Sequence, residues 1–309
     1  MTSPGAVFGD VTGVMRQLSH VSLPWLIAGL VLQGMSLGLR SLAWRNILRA
    51  VYPARRVPTV GIAAAYVAGV ATNGVLPAHA GELAKVGLAR LQIDRSETPA
   101  VLGSLGVMGI LDAVVSVGLT IAVLATGSVP GASSVRLVPH PVWAIAGAAA
   151  AVAVFGLVAA RLPRVRARAS HFMHSLAEAV VVFRRPRRYL HEVALFQLGA
   201  WVGKLAVAST LLAAFGLRPT LSSAMLVVVV GSLSALVPAS PGGLGTQQLL
   251  LVYALGAGAA AAQIVAFSLG MQMTLMLFQT ALGLVAIMFA MRIAHPVRAI
   301  AAVRTAIRD

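Results

Sequence analysis

An apolar stretch that begins at Thr59 breaks at Asn73-Gly-Val-Leu-Pro-Ala-His-Ala-Gly-Glu82, where a membrane-spanning helix would have to continue. A second apolar stretch, Ser222–Val237, breaks in a similar way at Pro238-Ala-Ser-Pro-Gly-Gly-Leu-Gly245. Proline and glycine interrupt a helix, so each break leaves backbone N–H and C=O groups without helical partners. Hydrocarbon cannot satisfy these groups, so protein or a polar cavity must cover each break.

The composition around these breaks is that of a membrane protein. Of the 309 residues, 59% are hydrophobic and only 10% are charged, whereas a water-soluble domain has about 25% charged residues. We therefore expect one integral membrane domain over residues 1–309, with no room for a large soluble catalytic domain. The chain has no cysteine, which excludes thiol nucleophiles, cysteine-bound zinc and iron–sulfur clusters.

Membrane crossings follow from the long apolar stretches, since a spanning helix needs about 20 such residues. Five stretches qualify: Val21–Leu39, Val101–Ala125, Val142–Ala160, Val193–Phe215 and Ala262–Met291. The two broken stretches are predicted to be re-entrant, each returning to the face from which it entered. The expected fold is an all-α polytopic membrane protein with about five full crossings and two re-entrant broken helices.

The basic residues predict the orientation. The net charge is +16, and arginine-rich loops collect on the cytoplasmic side, so nucleic acid is not an expected partner. The first basic cluster begins with Arg40, which is expected in the loop after the first span. With two re-entrant segments, the basic clusters face the cytoplasm, residues 1–20 lie outside, and the tail 292–309 lies inside. The basic loop 161–191 is cytoplasmic, and apolar residues at helical spacing within it predict an amphipathic surface helix. The predicted location is the cytoplasmic (inner) membrane.

The two breaks resemble each other. Leu76–Leu83 aligns with Val237–Leu244, with proline, alanine, glycine and leucine at identical spacing. Because one copy enters from each face, the segments would form an inverted repeat, the arrangement by which many secondary transporters build a midplane substrate site. A coincidence between two turns rich in proline and glycine is the alternative.

The same segments resemble a known family. Asn73–Lys85 and Leu236–Gly245 look like the two signature segments of the lysylphosphatidylglycerol synthase transmembrane (flippase-like) family, and Phe183–Tyr189 looks like its central basic loop. The resemblance implies an integral membrane protein related to the domain that moves aminoacylated phosphatidylglycerol between leaflets. A further N-terminal span usually precedes the region where this chain begins.

Several family charges are replaced in this chain. His79 stands where the family usually has arginine, Met108-Gly109 stands in place of Glu-Arg before Asp112, and Gln247-Gln248 stands in place of Arg-Glu. The resemblance therefore leaves the substrate and the coupling ion open.

Charged residues inside spans are functional candidates, because burying a charge in a bilayer is costly. Asp112 and Lys204 lie in uninterrupted spans, where the alternative is that they pair with each other. Glu82 lies between His79 and Lys85 at spacings of three residues, so all three side chains can share a cavity. The alternative role of Glu82 is a helix cap, since an acid complements the positive end of the helix dipole.

The second break offers backbone donors. Its glycines would expose N–H groups at a helix start, which suits a phosphate, although a tight turn needs the same glycines. The residues expected to bind substrate are Asn73, His79, Glu82, Lys85, Asp112, Lys204, Ser240, Gly242, Gly243, Gly245, Gln247 and Gln248. The residues expected to break the helices are Pro77, Gly81, Pro238 and Pro241.

These features predict a transporter of a lipid or lipid-linked anionic headgroup. Phosphate-binding, hydrolase and zinc-protease motifs are missing, so no enzyme activity, metal or cofactor is expected. The expected partners are membrane lipids, with a homodimer and a separately encoded lipid-synthesis enzyme also compatible with the sequence. Two alternatives stay open: an intramembrane headgroup-modifying enzyme with His79 and Glu82 as acid–base pair, and a non-transporting partner of a lipid synthase.

Overall fold

The computed structural model describes residues 21–75, 80–125, 186–234, 245–256 and 259–290. All the regular elements in these ranges are helical. Four helices there are long and apolar enough to cross a membrane: Leu23–Val51, Thr98–Val123, Leu190–Ala214 and Ala261–Met288. The predicted all-α polytopic membrane fold is confirmed.

The main helices are numbered here in chain order. They are α1 (Leu23–Val51), α2 (Thr59–Val75), α3 (Ala80–Arg90), α4 (Thr98–Ala125), α5 (Leu195–Ala214), α6 (Leu221–Ser234), α7 (Thr246–Leu255) and α8 (Ala261–Val285). A helical turn, Pro186–Tyr189, and a π-helical turn, Leu190–Ala194, lead into α5. Another π-helical turn, Ala286–Ala290, continues α8.

The connection between α5 and α6 shows how local sequence sets the helix ends. Gly216 has a φ of +70°, the left-handed conformation that commonly ends a helix. The Leu217 amide then donates to the Leu212 carbonyl at 2.9 Å, which satisfies a carbonyl at the end of α5. The Thr220 hydroxyl accepts from the Ser223 amide at 3.1 Å and thereby caps the start of α6.

The first predicted span needs a correction. Val21–Leu39 was expected to cross, with Arg40 and the next arginines in a following loop, but α1 continues for 29 residues to Val51. Arginine is a good helix former, and the residues after Arg40 include the buried Ser41 and Trp44. Arg40 therefore lies within the helix bundle.

The other predicted spans fall into two groups. Val101–Ala125, Val193–Phe215 and Ala262–Met291 correspond to α4, α5 and α8. Val142–Ala160 lies outside the described residues, as do residues 1–20, the tail 292–309 and the predicted surface helix in the basic loop. Of the loop 161–191, residues 186–191 are described, and they are helical and lead directly into α5.

Each broken stretch contributes two helices. In the first hairpin, α2 and α3 pack antiparallel, with Gly69 next to Gly81 and Gly61 next to Gln92. In the second hairpin, α6 contacts α7, with Gly231 next to the Gln247 side chain.

Helices α1 and α5 pack against each other in antiparallel orientation, and we call their contact the seam. Gly29 approaches Thr210 at one end, and the Asn46 side chain donates to the Glu192 carbonyl at 2.7 Å at the other. Between these points, Ser36 Oγ donates to the carbonyl of Ala200 at 2.9 Å. Small side chains let the two backbones approach closely, as in many membrane helix pairs.

The buried apolar residues of the described ranges form two clusters, one toward each end of this seam. The first surrounds Trp44 and Ile62 and is built mainly from α1 to α4. The second surrounds Leu211 and Phe267 and is built mainly from α5 to α8. Across the two, α2 packs on α8 and α6 packs on α4.

Candidate functional site

The tip of the first hairpin is held by hydrogen bonds from α2 to the start of α3. Asn73 Oδ1 accepts from the Gly81 amide at 2.7 Å, and Asn73 Nδ2 donates to Glu82 Oε1 at 3.2 Å. The first N–H groups of a helix have no acceptor within that helix, so Asn73 supplies one from its neighbour. Both Asn73 and Gly81 thus contribute to closing the hairpin.

Two glycines permit the close approach of α2 and α3. A Cβ atom on Gly81 would overlap the Gly69 carbonyl oxygen and the Asn73 side chain. A Cβ atom on Gly69 would overlap the stem of Lys85. A larger residue at either position would therefore force the helices apart.

Lys85 is buried in this hairpin, with only 6% of its surface exposed. Its Nζ lies 2.7 Å from Glu82 Oε1 and 4.7 Å from the centroid of the Tyr66 ring. The carboxylate and the aromatic face together compensate for the lost hydration of the ammonium group. The Glu82 side chain keeps 37% of its surface exposed, so the pair remains accessible from outside the hairpin.

Asp112 on α4 forms a second ion pair. Its Oδ1 accepts from Arg40 Nη2 at 2.9 Å and from Trp201 Nε1 at 2.8 Å, which joins α4 to α1 and α5. The direct ion-pair partner of Asp112 is therefore Arg40, and Lys204 forms no salt bridge with it. Just before the span at Leu190, burial raises the pKa of the Tyr189 phenol, with a further contribution from the nearby Asp112 carboxylate.

Lys204 lies half-buried on α5, one turn after Trp201. Its Nζ is 4.7 Å from the centroid of the Trp201 ring, and Arg40 Cζ is 5.8 Å from the same centroid. Two cations therefore share one indole ring. Within the described part of the chain, no carboxylate lies within salt-bridge distance of Lys204.

Tyr66 connects the two ion pairs. Its ring contacts Lys85, and its hydroxyl is close enough to Arg40 to interact electrostatically with the guanidinium. Trp44 packs on the Tyr66 ring at 6.0 Å and fixes it from α1. We refer to the connected set as the charged cluster; its members are Arg40, Tyr66, Glu82, Lys85, Asp112, Trp201 and Lys204.

Neutral amides occupy the second hairpin instead. Gly245 has a φ of +87°, and its amide donates to Gln248 Oε1 at 2.6 Å at the start of α7. Gln248 Nε2 donates in turn to Gln272 Oε1 of α8 at 3.2 Å. Gln247 is buried beside Gly231. Neither α6 nor α7 contains a charged residue.

Part of the predicted site lies outside the described residues. These positions are Pro77, His79, Pro238, Ser240, Pro241, Gly242 and Gly243. The meeting of the two breaks around one midplane cavity therefore stays a prediction.

Sequence reasoning missed Arg40, Tyr66 and Trp201. Arg40 was grouped with the loop arginines, although the apolar sequence that continues to Trp44 is a signal that the helix does not end there. Trp201 precedes Lys204 by three residues, a spacing that places both side chains on neighbouring positions of one helix face. Tyr66 gives no comparable signal within an apolar stretch.

A groove of about 390 Å³ lies away from the charged cluster, between the end of α1 and the start of α4. Tyr52, Arg55 and Glu97 line it together with apolar residues. In the described ranges, no group of three or more histidine, aspartate or glutamate side chains is placed to hold a metal ion.

Comparison with known families shows a match over most of the chain. The family model described as Lysylphosphatidylglycerol synthase TM region matches residues 6–283. This range includes both hairpins and every member of the charged cluster. No curated protein matches the chain.

Proposed function

The chain belongs to the lysylphosphatidylglycerol synthase transmembrane family, and on that premise we propose that it moves a lipid or a lipid-linked anionic headgroup across the cytoplasmic membrane. Membership gives a multi-pass membrane protein with a lipid-related function. The observation that supports movement of a headgroup in particular is the charged cluster. Ionisable side chains inside membrane helices are costly, and they commonly mark a path for a polar substrate.

In the proposed mechanism, the headgroup crosses at the charged cluster while its acyl chains remain in hydrocarbon. Arg40, Lys85 and Lys204 supply donors to the phosphate. Glu82 and Asp112 neutralise two of these cations when no headgroup is present, which keeps the empty site tolerable at membrane depth. The protein acts without chemical change to the lipid, and with no nucleotide-binding motif the movement is passive or ion-coupled.

The packing of the helices supports an inverted repeat within this proposal. The order α1 to α4 is followed by a comparable order in α5 to α8, with a helical hairpin second and third in each. The first helices of the two halves run antiparallel, and α2 packs on α8 as α6 packs on α4. A twofold axis in the membrane plane would relate α2 to α6 and α4 to α8, so the contact of α2 with α8 would be equivalent to the contact of α6 with α4. We propose re-entrant hairpins that enter from opposite faces.

The proposal is tested by reconstitution into liposomes that contain a fluorescent short-chain phosphatidylglycerol. Dithionite added outside reduces only the fluorophores in the outer leaflet, so protein-free vesicles keep the signal of their inner leaflet. A transporter brings inner-leaflet lipid to the bleached side, so nearly all the fluorescence is lost. Recovery of unmodified lipid afterwards distinguishes movement from headgroup chemistry.

Glu82→Gln is the informative variant in this assay. It keeps the shape of the side chain but removes the charge that pairs with Lys85, so transport should fall while folded protein is retained. Glu97→Gln is the matched control, because it makes the same chemical change outside the charged cluster. If Glu82→Gln transports normally, Glu82 is only a helix cap. If the native protein moves no lipid, the non-transporting alternative is favoured.

A further inference from the structure

The charges of the charged cluster do not cancel. Arg40 is paired with Asp112 at 2.9 Å, and Lys85 is paired with Glu82 at 2.7 Å. Lys204 lies over the face of Trp201, and within the described residues it forms no salt bridge with a carboxylate. Three cations against two carboxylates leave one positive charge, and the geometry assigns it to Lys204.

Within the described residues, no further acid forms a salt bridge with Lys204. The chain has only 8 aspartates and glutamates. On the same helical run as Lys204, the acid is Glu192, which lies about 18 Å away along the axis at 1.5 Å per residue. The predicted span Val142–Ala160 contains no charged residue at all.

Lys204 and its neighbours remain within reach of a ligand. Lys204 is half-buried, and the side chains of Arg40 and Asp112 keep 21% and 26% of their surface exposed. Gly109, one turn before Asp112 on α4, has open space where a side chain would stand. By contrast, Lys85 is only 6% exposed, and the more accessible member of its ion pair is Glu82.

We propose that Lys204, with Arg40 beside it on the Trp201 ring, binds the phosphodiester of a lipid whose headgroup carries a single net negative charge. The inference rests on the proposed transport function and narrows its substrate. One negative charge neutralises the cluster inside the membrane. A zwitterionic headgroup leaves the surplus in place, and a headgroup with net positive charge, such as lysine-esterified phosphatidylglycerol, adds to it.

Asp112 acts as a positioning residue in this arrangement. It holds the Arg40 guanidinium against the Trp201 ring and donates no group to the phosphate. Because Asp112 already neutralises Arg40, the attraction for an incoming anion comes mainly from Lys204, and Arg40 adds hydrogen-bond donors. Arginine has five N–H donors and can serve a carboxylate and a phosphate together.

The test is native mass spectrometry of the full chain in detergent with phosphatidylglycerol or phosphatidylethanolamine of identical acyl chains. We expect phosphatidylglycerol to bind about tenfold more tightly, because both lipids offer the same phosphodiester but the ammonium of phosphatidylethanolamine adds a positive charge beside the surplus cation. Lys204→Gln should reduce phosphatidylglycerol binding to the level of phosphatidylethanolamine, whereas Lys204→Arg should keep the preference. Lysine-esterified phosphatidylglycerol should bind no better than phosphatidylethanolamine.

Arg218→Gln is the charge-matched control, since Arg218 is exposed on the connection between α5 and α6. Equal binding of the two lipids, or an equal loss in Arg218→Gln, would overturn the site. Soluble glycerophosphoglycerol should compete only at much higher concentration because it lacks acyl chains; equal competition would reassign the site to a soluble anion. Binding is measured without transport, so a preference that survives a failed liposome assay removes only the transport proposal.

Discussion

The two hairpins use different side chains to accept hydrogen bonds from the backbone amides at the start of their second helices. In the first, the Asn73 side chain reaches from α2 to accept from the start of α3, beside the ion pair of Glu82 and Lys85. In the second, Gln248 accepts from the start of its own helix at Gly245 and passes a hydrogen bond to α8. Neutral amides thus satisfy the start of α7. The described part of the second hairpin has no counterpart to the ion pair of Glu82 and Lys85.

The hairpins also differ in how tightly their helices pack. In the first, Gly69 and Gly81 leave no room for a Cβ atom, whereas a Cβ atom on Gly231 would meet only Gln247 Nε2 at 3.9 Å. The first hairpin buries its lysine because its helices are so close. The second leaves room for a Cβ atom at Gly231, and neither α6 nor α7 contains a charged residue.

The largest expected effect is a difference in sidedness between the hairpins. In this cysteine-free chain, single cysteines at Arg55 and Arg90 should resist an impermeant thiol reagent in whole cells, while a cysteine at Arg218 should be labelled. The reason is that the first hairpin is proposed to return to the cytoplasm and the second to the outside. Permeabilised cells, in which all three sites react, serve as the control. Labelling at Arg90 alone would show that α2 and α3 cross completely.

The next effect tests the difference in packing. Gly81→Ala should lower the free energy of unfolding by about 2–3 kcal/mol, because overpacking displaces backbone that has no room to move. Gly231→Ala, the same change in the second hairpin, should change it by less than about 0.5 kcal/mol. Both values come from thermal and denaturant unfolding followed by tryptophan fluorescence. Similar losses in the two variants would mean that the hairpins are packed alike.

A smaller effect on stability is expected from the ion pair between Arg40 and Asp112, which has no counterpart in α6 or α7. Asp112→Asn should cost about 1–2 kcal/mol, reduced by partial exposure, because Arg40 loses its counter-charge at membrane depth. Adding Arg40→Gln should recover part of the loss, and the double-mutant cycle gives the coupling energy. Strictly additive costs would contradict a direct interaction between the two residues.

The smallest effect concerns the hydrogen bonds of Gln248 with the Gly245 amide and with Gln272. Gln248→Leu should cost about 1 kcal/mol, since it removes the acceptor for the Gly245 amide and the bond to Gln272. Gln248→Glu keeps the acceptor but buries a carboxylate at membrane depth without a cation on α6 or α7, so it should cost more than Gln248→Leu. It also introduces a carboxylate into the neutral hairpin, so any change in lipid binding in this variant measures how much charge asymmetry matters.

Local features could be predicted from the sequence, and distant partners could not. The apolar stretches predict α4, α5 and α8 because membrane helices need continuous hydrophobicity. Glu82 and Lys85 could be grouped because three residues separate them along one helix. The pairing of Arg40 with Asp112 depends on packing between helices far apart in the chain, and the rule that places arginines at membrane edges argued against it.

Tyr66 and Trp201 show a further limit. In the sequence, each is an ordinary aromatic residue in an apolar stretch. Its contacts with cations arise only when α1, α2 and α5 come together. The break residues Pro77 and Pro238 were singled out for their effect on the backbone. The ion pairs beside the first hairpin depend on which neighbouring helices supply the opposite charge, and a sequence pattern does not contain that information.

The separation of the buried apolar residues into two clusters bears on biogenesis. Apart from Val193, the buried members of the first cluster lie between Leu37 and Met108. Domains fold N-terminal first as a chain is synthesised, so this half can consolidate while the later helices are still being made. The surface of α1 that contacts α5 would then already be formed when α5 is synthesised and packs against it. Assembly in the membrane would therefore be stepwise, and a ribosome-stalled chain ending near the central basic loop should already resist proteolysis in its first half.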